Sequence, residues 1–327
     1  MKIKLFTHTD LDGIGNALLL LKYNKISMKD IDYLDYTNVN DAIRQFIKDK
    51  KYKEYDIVYI TDLSINEEIG EMINNINDNN FILFDHHQTS LPLNKYKWAT
   101  VQVCQDNGIK TCATTLFYNG VFDTFEDDIL VETIRQWDTF DWVNKEEGYR
   151  AQKLNDLLYI LGREDFIELC MKSKFDIVTI INNDNSKLLL KIDERNKKEY
   201  IENKSKTGVF MKLSIPINKI KREYNVYLVC ADRYISELGN SICKNNKNYD
   251  LCIMIDIDKK KLSYRSVKED VDCCEIAKYF NGGGHPKAAG SEFTYISNES
   301  IYSSLFDVIM KLYSGNYAII KDYFNLI

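Results

Sequence analysis

The sequence predicts an α/β protein: an N-terminal doubly wound parallel-sheet domain and a smaller C-terminal α/β domain, joined by a helical linker. Three observations lead to this prediction. At 327 residues the chain exceeds what one hydrophobic core usually serves, so two domains are expected. Strand-like and helical segments alternate in the first part, as they do in βαβ units. A charged, helix-prone segment at residues 187–206 separates the predicted domains 1–186 and 207–327.

The first domain supplies the alternating elements. Short apolar segments rich in β-branched and aromatic residues predict strands, and the longer segments between them have the spacing of amphipathic helices. Residues 7–13 are predicted to form an acidic loop between the first strand and the first helix. The predicted strands are 2–6, 31–36, 56–60 and 81–84, and the predicted helices are 15–21, 41–50, 67–75 and most of 127–175.

The second domain has fewer clear elements. Apolar segments predict strands near residues 226–230, 250–255 and 261–266. Residues 281–290 contain three consecutive glycines and are predicted to form a loop. Glycines let backbone N–H groups approach an anion closely, so this loop is a candidate phosphate-binding segment.

Composition narrows the class of protein. A hydrophobic content of 45% and a charged content of 28% are ordinary for a soluble globular protein. No apolar run is long enough for a membrane span, and the start of the chain does not have the pattern of a signal peptide, so a cytoplasmic protein without a membrane partner is expected. The eight cysteines contain no C-x-x-C pair, which predicts reduced thiols rather than a zinc ribbon or a disulfide framework.

Charge is distributed unevenly along the chain. The net charge of −6 argues against an extended surface for a long nucleic-acid duplex. Residues 1–205 carry 26 Lys and Arg against 35 Asp and Glu, a net of −9, whereas residues 206–327 carry 17 against 14, a net of +3. An acidic first part suits cation binding, and a mildly basic second part suits contact with phosphate.

Acidic and imidazole side chains follow three of the predicted strands. A lone Asp after a strand is usually a turn residue or a helix N-cap, but three such groups that also carry histidine are better explained by a metal site. The carboxyl ends of parallel strands meet at one edge of a sheet, which is where ligands bind. The groups are His8, Asp10 and Asp12, then Asp62, then Asp85, His86 and His87.

These side chains suit hard or borderline divalent cations. Carboxylates with some imidazole favour Mn²⁺ or Mg²⁺, and no thiolate is placed to select zinc. The donors exceed the needs of one ion, which predicts two ions bridged by one Asp. Two such ions activate water and stabilise both oxygens of a phosphoryl displacement.

The motifs resemble those of the DHH phosphoesterases, a family named for the sequence Asp85-His86-His87. His8-x-Asp10-x-Asp12-Gly13 is similar to the first family motif, in the spacing of its exonuclease and nanoRNase branches. Asp62 and the Asp138 of Gln136-Trp137-Asp138 are similar to the second and fourth motifs. The C-terminal part is similar to the substrate-binding domain that accompanies many members. Its matching residues are Arg265, Ser266, Gly283, Gly284, His285 and Lys287.

This resemblance implies a role for each position. His8, Asp10 and Asp62 would hold one cation, and Asp12, Asp62, His86 and Asp138 the other, with Asp62 as the bridge. Asp85 would orient its neighbours. His87 would face the scissile phosphate as a hydrogen-bond donor or general acid. In the second domain, Arg265 and Ser266, Gly283 and Gly284, and His285 and Lys287 would bind the substrate, although Lys287 is equally compatible with a solvated charge.

An aromatic group lies close to the fourth motif in the sequence. Trp137, Phe140 and Trp142 flank Asp138. Core packing is the favoured interpretation of these residues, and a platform on which bases stack is the alternative.

The implied function is hydrolysis of short single-stranded RNA or dinucleotides to mononucleotides, with two divalent cations, Mn²⁺ or Mg²⁺. The resemblance is strongest to the nanoRNase, or oligoribonuclease, branch, in which the second domain would close over the metal centre. A phosphatase acting on 3′-phosphoadenosine 5′-phosphate and a cyclic or linear dinucleotide phosphodiesterase remain alternatives. An inorganic pyrophosphatase is less favoured because of the glycine loop, and a nucleotide sensor without turnover because every ligand position is filled. Polarity of degradation, substrate length and oligomeric state, including a homodimer, stay open.

Overall fold

The structure is a computed structural model, which describes residues 1–76, 80–122, 128–217 and 220–292. The chain forms two compact units, of which the first is Met1–Asp193 and the second begins at Glu194. The dividing point falls inside a long helix, Asp184–Lys204, which overlaps the predicted linker 187–206.

The described part of the first unit contains a five-stranded sheet whose neighbouring strands are all parallel. The strand order is 2-1-3-4-5, so the chain leaves the first strand in one direction along the sheet and later returns to the other side of it. This confirms the predicted doubly wound α/β fold. The strands are β1 Ile3–His8, β2 Ile31–Leu34, β3 Ile57–Thr61, β4 Phe81–Asp85 and β5 Ala99–Val101.

Alternating side chains along these strands build two cores, one on each face of the sheet. Leu5 of β1 packs into the larger core, whereas its neighbour Phe6 packs into the smaller one. Val58 and Tyr59 of β3 divide in the same way. Successive side chains of a strand point to opposite faces. A sheet that is apolar on both faces has to be covered on both sides, and helices do so here.

The first three helices of the first unit alternate with its strands, and the later helices follow β5 one after another. They are α1 Leu11–Lys22, α2 Val39–Lys48, α3 Glu67–Asn74, α4 Ala113–Val121, α5 Ile129–Asp138, α6 Tyr149–Leu161, α7 Arg163–Lys172 and α8 Ile177–Asn182, and the last helix, α9 Asp184–Lys204, continues into the second unit. Short 3₁₀ turns lie at Met28–Asp30, Lys51–Glu54, Gln88–Lys95 and Asp141–Asn144.

Several features of the first unit differ from the prediction, among them helix α4, which was not predicted. Helix α1 begins at Leu11 rather than at residue 15, because the Asp10 side chain accepts a hydrogen bond from the backbone N–H of Gly13 and caps the helix there. Asp12 therefore lies in the first helical turn and not in a loop. Strand β5, which was not predicted, has three residues and too short a pattern to recognise. Asp127, at the start of the predicted helical region, lies outside the described residues.

In its described residues, the second unit contains a mixed sheet of six strands in the order 10-11-9-8-7-6. β7 and β8 are parallel, and the other neighbours are antiparallel. The strand Val209–Ile217, which comes first in the sequence, was not predicted. The elements are β6 Val209–Ile217, β7 Ile220–Cys230, α10 Ile235–Asn245, β8 Leu251–Asp256, β9 Lys261–Arg265, α11 Cys273–Tyr279, β10 Gly283–His285 and β11 Ala288–Glu292.

The predicted glycine loop is a β-hairpin formed by β10 and β11. Gly284 has a φ of +137°, and a Cβ atom at this position would lie 2.7 Å from the Ala288 carbonyl oxygen. Only glycine fits there without strain. Gly283, by contrast, has no atom within 4 Å of the position a Cβ would take. The loop prediction was wrong because antiparallel pairing of two short glycine-rich segments has no hydrophobic alternation to indicate it.

In the described parts of both units, no helix combines the length and the apolar character that a membrane crossing requires. All eight cysteines have free thiols, and five of them are buried.

Candidate metal centre

The carboxyl edge of the first sheet brings the three predicted groups together. β1 ends at His8, Asp62 follows β3 directly, and β4 ends at Asp85. These three strands are neighbours in the parallel sheet, so their ends open at the same edge. Three overlapping groups of potential metal-ligating atoms form here, with the atoms of each group within 4.8 Å of one another. The groups are His8, Asp10 and Asp62; Asp12, His86 and Asp138; and Asp62, Asp85, His86 and His87.

Helix α1 carries Asp12 into this edge because it starts very close to the strand before it. A Cβ atom on Gly13 would lie 2.3 Å from the His8 carbonyl oxygen, so the chain turns from strand to helix only with glycine at that position. The Asp12 carboxylate accepts hydrogen bonds from the backbone N–H groups of Ala113 at 2.7 Å and Thr114 at 2.8 Å. These groups open helix α4, whose N-terminal dipole favours a carboxylate.

Asp138 reaches the edge from the last turn of α5. A Cβ atom on Gly15 would lie 2.4 Å from Thr114 Oγ1 and 2.7 Å from Ile134 Cδ1, so this glycine permits the close contact of α1 with α4 and α5. Arg135, one turn earlier, donates to Glu132 and Asp141 and to the Lys110 carbonyl oxygen. This buried guanidinium ties the end of α5 to two neighbouring segments.

Two separate groups of side chains face Asp62. His8 Nδ1 lies 3.6 Å from Asp62 Oδ2 and 3.0 Å from Asp10 Oδ2. His86 Nε2 lies 3.5 Å from Asp62 Oδ1, 3.5 Å from Asp138 Oδ2 and 3.7 Å from Asp12 Oδ2. Each carboxylate oxygen of Asp62 therefore belongs to a different group.

The backbone of Asp62 is held in an unfavourable conformation. Its φ is +57°, in the left-handed region that non-glycine residues seldom occupy. Its N–H donates to the Phe84 carbonyl oxygen at 3.0 Å, continuing the pairing of β3 with β4 beyond the last residue of β3. Conformations of this kind cost about 1–3 kcal/mol and concentrate at functional sites.

Three polar atoms of this edge lie near carboxylate or imidazole side chains but form no well-aligned hydrogen bond within the described chain. His8 Nδ1, Asp62 Oδ2 and His86 Nε2 are buried and lack a hydrogen bond of good geometry within the described chain. Leaving a buried donor or acceptor unsatisfied costs about 1–3 kcal/mol. Converging carboxylate oxygens and imidazole nitrogens are the donor set that Mn²⁺ and Mg²⁺ accept. The residues therefore fit divalent cations.

Two of the three imidazoles at this edge, those of His8 and His86, carry strongly shifted pKa values. Burial alone lowers the pKa of His8, but contact with Asp10 and Asp62 outweighs it and raises that pKa to about 11. Burial likewise opposes protonation of His86, but contact with Asp62 and the charges of Asp138 and Asp12 raise its pKa to about 11. In the metal-free protein these imidazoles are positively charged and occupy the place of cations.

The pKa values of two carboxylates, Asp62 and Asp138, are raised, which is opposite to the shift in an ordinary ion pair. Burial, followed by the charges of Asp10 and Asp12, raises the pKa of Asp62 to about 7. Burial and the charge of Asp12 raise the pKa of Asp138 well above its ordinary range. Such crowding of negative charge is unfavourable for the empty protein and favourable for one that binds divalent cations.

His87 is held from two sides. Its Nδ1 lies 2.7 Å from Asp85 Oδ1, and its Nε2 lies 3.0 Å from the hydroxyl of Tyr36. Asp85 is fully buried, and its carboxylate also accepts from the backbone N–H of His86 at 2.8 Å. The hydrogen bonds and charge of His87 hold the pKa of Asp85 below its ordinary value, despite burial.

Sequence reasoning missed two residues of this edge. Tyr36 bonds His87 and packs its ring on His8, with the ring centroids 4.6 Å apart. Asp35 Oδ1 lies 3.6 Å from His8 Nε2. Both follow β2, which lies beside β1 at the same edge. The sequence prediction placed Asp35 and Tyr36 inside the strand 31–36, whereas β2 ends at Leu34, so their position at the end of a strand was missed.

No protein-family model matches the sequence. The oligoribonuclease NrnB of Bacillus subtilis is 31% identical to this chain over 300 residues, which cover 89% of this chain and 72% of that protein. The chain belongs to the DHH phosphoesterase family. It is accordingly a metal-dependent hydrolase, and the predicted resemblance is confirmed.

Solved structures agree with this membership at the level of the fold. An exonuclease RecJ bound to manganese has a TM-score of 0.53 and 11% identity, over 97% of this chain and 90% of that one. The pGpG-specific phosphodiesterase PggH of Vibrio cholerae has a TM-score of 0.51 and 15% identity, over 96% of this chain and all of that one. Both share the DHH fold.

The residues that resemble those of the family's substrate-binding domain lie around β9 and the β10–β11 hairpin. The Arg265 guanidinium donates to the Tyr264 carbonyl oxygen at 2.9 Å and to Ser236 Oγ at 3.1 Å. Arg265 Nε is buried and has no hydrogen-bond partner in the described chain. Arg265 pairs with Ala288 in the register of β9 and β11, beside the hairpin that carries His285.

Ser266 and Lys287 of this group bond mainly to the unit itself. Ser266 is only 2% exposed; its hydroxyl donates to the Asp250 carbonyl oxygen at 2.7 Å and accepts from the backbone N–H of Lys268 at 3.2 Å. The Lys287 ammonium donates to the Lys268 carbonyl oxygen and lies 3.7 Å from Glu269. These contacts stabilise the segment between β9 and α11.

The aromatic group beside Asp138 is partly packed and partly exposed. Trp137 and Trp142 stack with their ring centroids 5.5 Å apart. Phe140 is 51% exposed and has a φ of +66°. Trp137 packs against the larger core, whereas Phe140 presents its ring to solvent. Core packing and base stacking by this group stay predictions.

Proposed function

We propose that this DHH phosphoesterase is a phosphodiesterase that hydrolyses short single-stranded RNAs and dinucleotides to mononucleotides with two divalent cations. The observation that carries the substrate assignment is its 31% identity, over 89% of the chain, to a protein named an oligoribonuclease. The arrangement of Asp62 between two groups of ligating atoms supports the two-cation chemistry. Mn²⁺ and Mg²⁺ both suit these donors.

The proposed ligand sets follow the two groups that face Asp62. One cation takes His8, Asp10 and Asp62, and the other takes Asp12, His86, Asp138 and the second oxygen of Asp62. When bound, such a pair supplies activation of a water molecule and neutralises charge on the phosphate oxygens. Asp12 and Asp85 also keep hydrogen bonds to backbone N–H groups, which fix their orientation.

His87 is proposed to act on the substrate rather than on a cation. Asp85 holds Nδ1 of this imidazole at 2.7 Å, which leaves Nε2 as the atom that faces away from the protein carboxylate. A side chain oriented in this way suits a hydrogen-bond donor to the phosphate or a general acid for the leaving oxygen.

Each predicted domain is proposed to have its own role. The catalytic centre is assigned to residues 1–186. The segment 187–206 links the two domains, and residues 207–327 are assigned the part of the substrate away from the scissile bond. Within the last segment, residues 293–327 lie outside the described residues. Arg265, His285, Lys287 and the backbone of Gly283 and Gly284 are proposed to contact the substrate, with Ser266 supporting them through its bonds to Asp250 and Lys268.

The experiment is a length and substrate panel. Purified protein with Mn²⁺ is incubated with 5′-labelled RNAs of two to 24 nucleotides, 3′-phosphoadenosine 5′-phosphate, cyclic dinucleotides and pyrophosphate, with chelator-treated protein as control. Complete conversion of the shortest RNAs to mononucleotides, with slower turnover of longer ones, is expected. An intact dinucleotide after prolonged incubation would reject the proposal, and faster turnover of another member of the panel would reassign the substrate.

A further inference from the structure

The exposed ring of Phe140 is held in a conformation that is unfavourable for a residue with a side chain. Its φ of +66° lies in the left-handed region, which disfavours a Cβ atom. The residue is also 51% exposed, although phenylalanine is among the residues that are most often buried. Glycine at this position would avoid both costs. Backbone strain of this kind concentrates at sites that bind ligands, which makes the ring a candidate contact for a ligand.

The residues on either side of Phe140 are fixed by one buried guanidinium. Arg135, whose side chain is 5% exposed, donates to Asp141 Oδ2 at 2.7 Å and to Thr139 Oγ1 at 3.4 Å. The Thr139 hydroxyl donates to the Arg135 carbonyl oxygen at 2.8 Å. The Phe140 N–H donates to the Trp137 carbonyl oxygen at 3.2 Å. The backbone of Phe140 is therefore ordered before a ligand binds, which lowers the entropy cost of binding.

Phe140 is the outer ring of a short aromatic row. Trp137 packs against the larger core of the first unit. Trp142 stacks on Trp137 at a centroid distance of 5.5 Å and a plane angle of 21°. The Phe140 ring follows at 6.2 Å and 37° from Trp142. The row thus runs from the core to an exposed ring, and exposed aromatic rings are surfaces on which nucleobases stack.

This ring lies close to the candidate metal centre along the chain. Asp138 precedes Phe140 by two residues, and its Oδ2 lies 3.5 Å from His86 Nε2. Consecutive Cα atoms are about 3.8 Å apart, so the Cα atoms of Asp138 and Phe140 are separated by at most about 7.6 Å. A nucleobase is joined to its phosphate through one ribose. A phosphate at the centre would therefore place its own base at about the distance of this ring.

We propose that Phe140 is a substrate-binding residue, on whose ring one of the two nucleobases that flank the scissile phosphate stacks. This inference rests on the proposed phosphodiesterase function and adds a base contact on the first unit to the contacts proposed for residues 207–327. Every nucleobase has a π face, so the contact distinguishes nucleotides from inorganic pyrophosphate but does not select one base over another. It acts on substrate affinity and not on the breaking of the P–O bond.

The test separates the π face of the ring from its apolar bulk. Phe140→Leu keeps an apolar side chain and loses the face, whereas Phe140→Trp keeps a face. Stacking of a base on an aromatic side chain is worth about 10–100-fold in affinity. KM for a dinucleotide should therefore rise about 10–100-fold in Phe140→Leu, with kcat within about twofold, and should stay within about threefold in Phe140→Trp. Tyr159→Leu, which removes a ring that is 75% exposed on α6, is the matched control and should change neither constant.

Two dinucleotide analogues, each with one base replaced by hydrogen, identify the stacked base. For the analogue that lacks this base, KM of the wild type should already be high, and Phe140→Leu should raise it no further. The other analogue should show the full effect of Phe140→Leu. This is a double-mutant cycle between a side chain and a base. A purely structural role of Phe140 would instead affect all three substrates alike.

A second readout does not depend on turnover. The fluorescence of 2-aminopurine ribonucleoside 5′-monophosphate, an analogue of the expected products, is quenched when its base stacks on an aromatic ring. With Mg²⁺ present, wild-type protein and Phe140→Trp should quench this fluorescence, and Phe140→Leu should quench it much less. Tyr159→Leu should behave as the wild type does.

The stacking contact and the proposed function fail in different ways. Wild-type protein that leaves the dinucleotide intact would reject the function, whereas the quenching experiment would still decide whether Phe140 stacks on a base. The contact would be overturned by an active wild type whose Phe140→Leu variant keeps its KM and its quenching, or raises KM equally for the intact dinucleotide and both analogues. A changed oligomeric state of Phe140→Leu with unchanged KM would also overturn it, because the ring would then belong to an interface between copies of the chain.

Discussion

The carboxyl edge of the first sheet and the β9–β11 region of the second unit both contain polar residues predicted to bind ligands, but they satisfy those residues differently. At the first edge, His8 Nδ1, Asp62 Oδ2 and His86 Nε2 are buried without a hydrogen-bond partner in the described chain. In the second unit, Ser266 and Lys287 bond to neighbouring backbone groups. Two nitrogens of Arg265 donate hydrogen bonds to the Tyr264 carbonyl oxygen and the Ser236 hydroxyl. Its Nε has no hydrogen-bond partner within the described residues.

The polar atoms of the first edge therefore need a ligand to satisfy them, whereas most of those in the second region are satisfied by the protein itself. Unsatisfied buried atoms and crowded carboxylates make the first edge costly until cations neutralise it. The polar residues of the second region stabilise the folded unit through their hydrogen bonds. We therefore expect some substitutions there to lower the free energy of unfolding and others to lower substrate affinity. The comparison predicts opposite consequences for removing polar groups from the two regions.

The largest effect is expected for Asp62→Asn. The substitution preserves shape but removes the charge shared by both groups of ligating atoms, so both cations should bind weakly and kcat should fall by at least about 10³-fold. The metal-free variant should nevertheless be more stable than the wild type at pH 8. Because folding raises the pKa of Asp62 to about 7, its carboxylate opposes folding at any pH above its unfolded pKa, by up to about 4 kcal/mol at about 1.4 kcal/mol per pKa unit.

Mn²⁺ titration calorimetry, steady-state rates and chemical unfolding of the metal-free protein measure these three effects. Asp165→Asn, on the exposed face of α7, is the control and should change none of them appreciably. If Asp62→Asn bound Mn²⁺ normally, or if its metal-free form were less stable, Asp62 would be a structural residue and the comparison would fail.

A smaller effect is expected from pH on cation binding. In the metal-free protein the pKa values of His8 and His86 are about 11, and that of Asp62 is about 7. A cation must displace protons from these groups, so affinity for Mn²⁺ should rise with pH, by about tenfold per unit for each proton released. Calorimetry at pH 6, 7 and 8, in buffers of different ionisation enthalpy, measures affinity and proton release. Constant affinity without proton release would show that these groups are not displaced.

The main part of the fold and its candidate centre could be predicted because the signals are local. Leu5 and Phe6, or Val58 and Tyr59, alternate between two cores, which is the period of a strand buried on both faces. Asp62 follows its strand directly, and the ends of neighbouring parallel strands meet at one edge of the sheet, which brings Asp62 to the other ligating residues. The fourth group, Asp138, was found by resemblance alone, since nothing in the pattern of α5 brings its last residue to the sheet edge.

The remaining features depend on contacts between distant segments. Tyr36 reaches His87 from 51 residues away in the sequence, and Ala113 and Thr114 reach Asp12 from about a hundred. Neither contact leaves a periodic signal. The hairpin at Gly284 also escaped prediction, because glycine favours loops in local statistics and only pairing with Ala289 makes this segment a strand.

The smallest effects should distinguish two adjacent residues of the second unit. Arg265→Lys keeps the charge but loses the planar fork that can contact a phosphate through two N–H groups. If this residue binds substrate as proposed, KM for a dinucleotide should rise about tenfold, with kcat and Mn²⁺ binding unchanged. Steady-state kinetics and calorimetry measure this outcome, and an unchanged KM would contradict the substrate role of Arg265.

Ser266→Ala should show the reverse. Its hydroxyl is buried and already bonded to the Asp250 carbonyl oxygen and the Lys268 N–H, so its removal leaves both backbone groups without that partner and should cost about 1–3 kcal/mol of unfolding free energy. KM should stay within about twofold, because the hydroxyl has little access to a substrate. A large rise in KM with unchanged stability would mean that Ser266 contacts the substrate directly. The polar residues of the second region would then serve a ligand, as those of the first edge do, despite their hydrogen bonds within the protein.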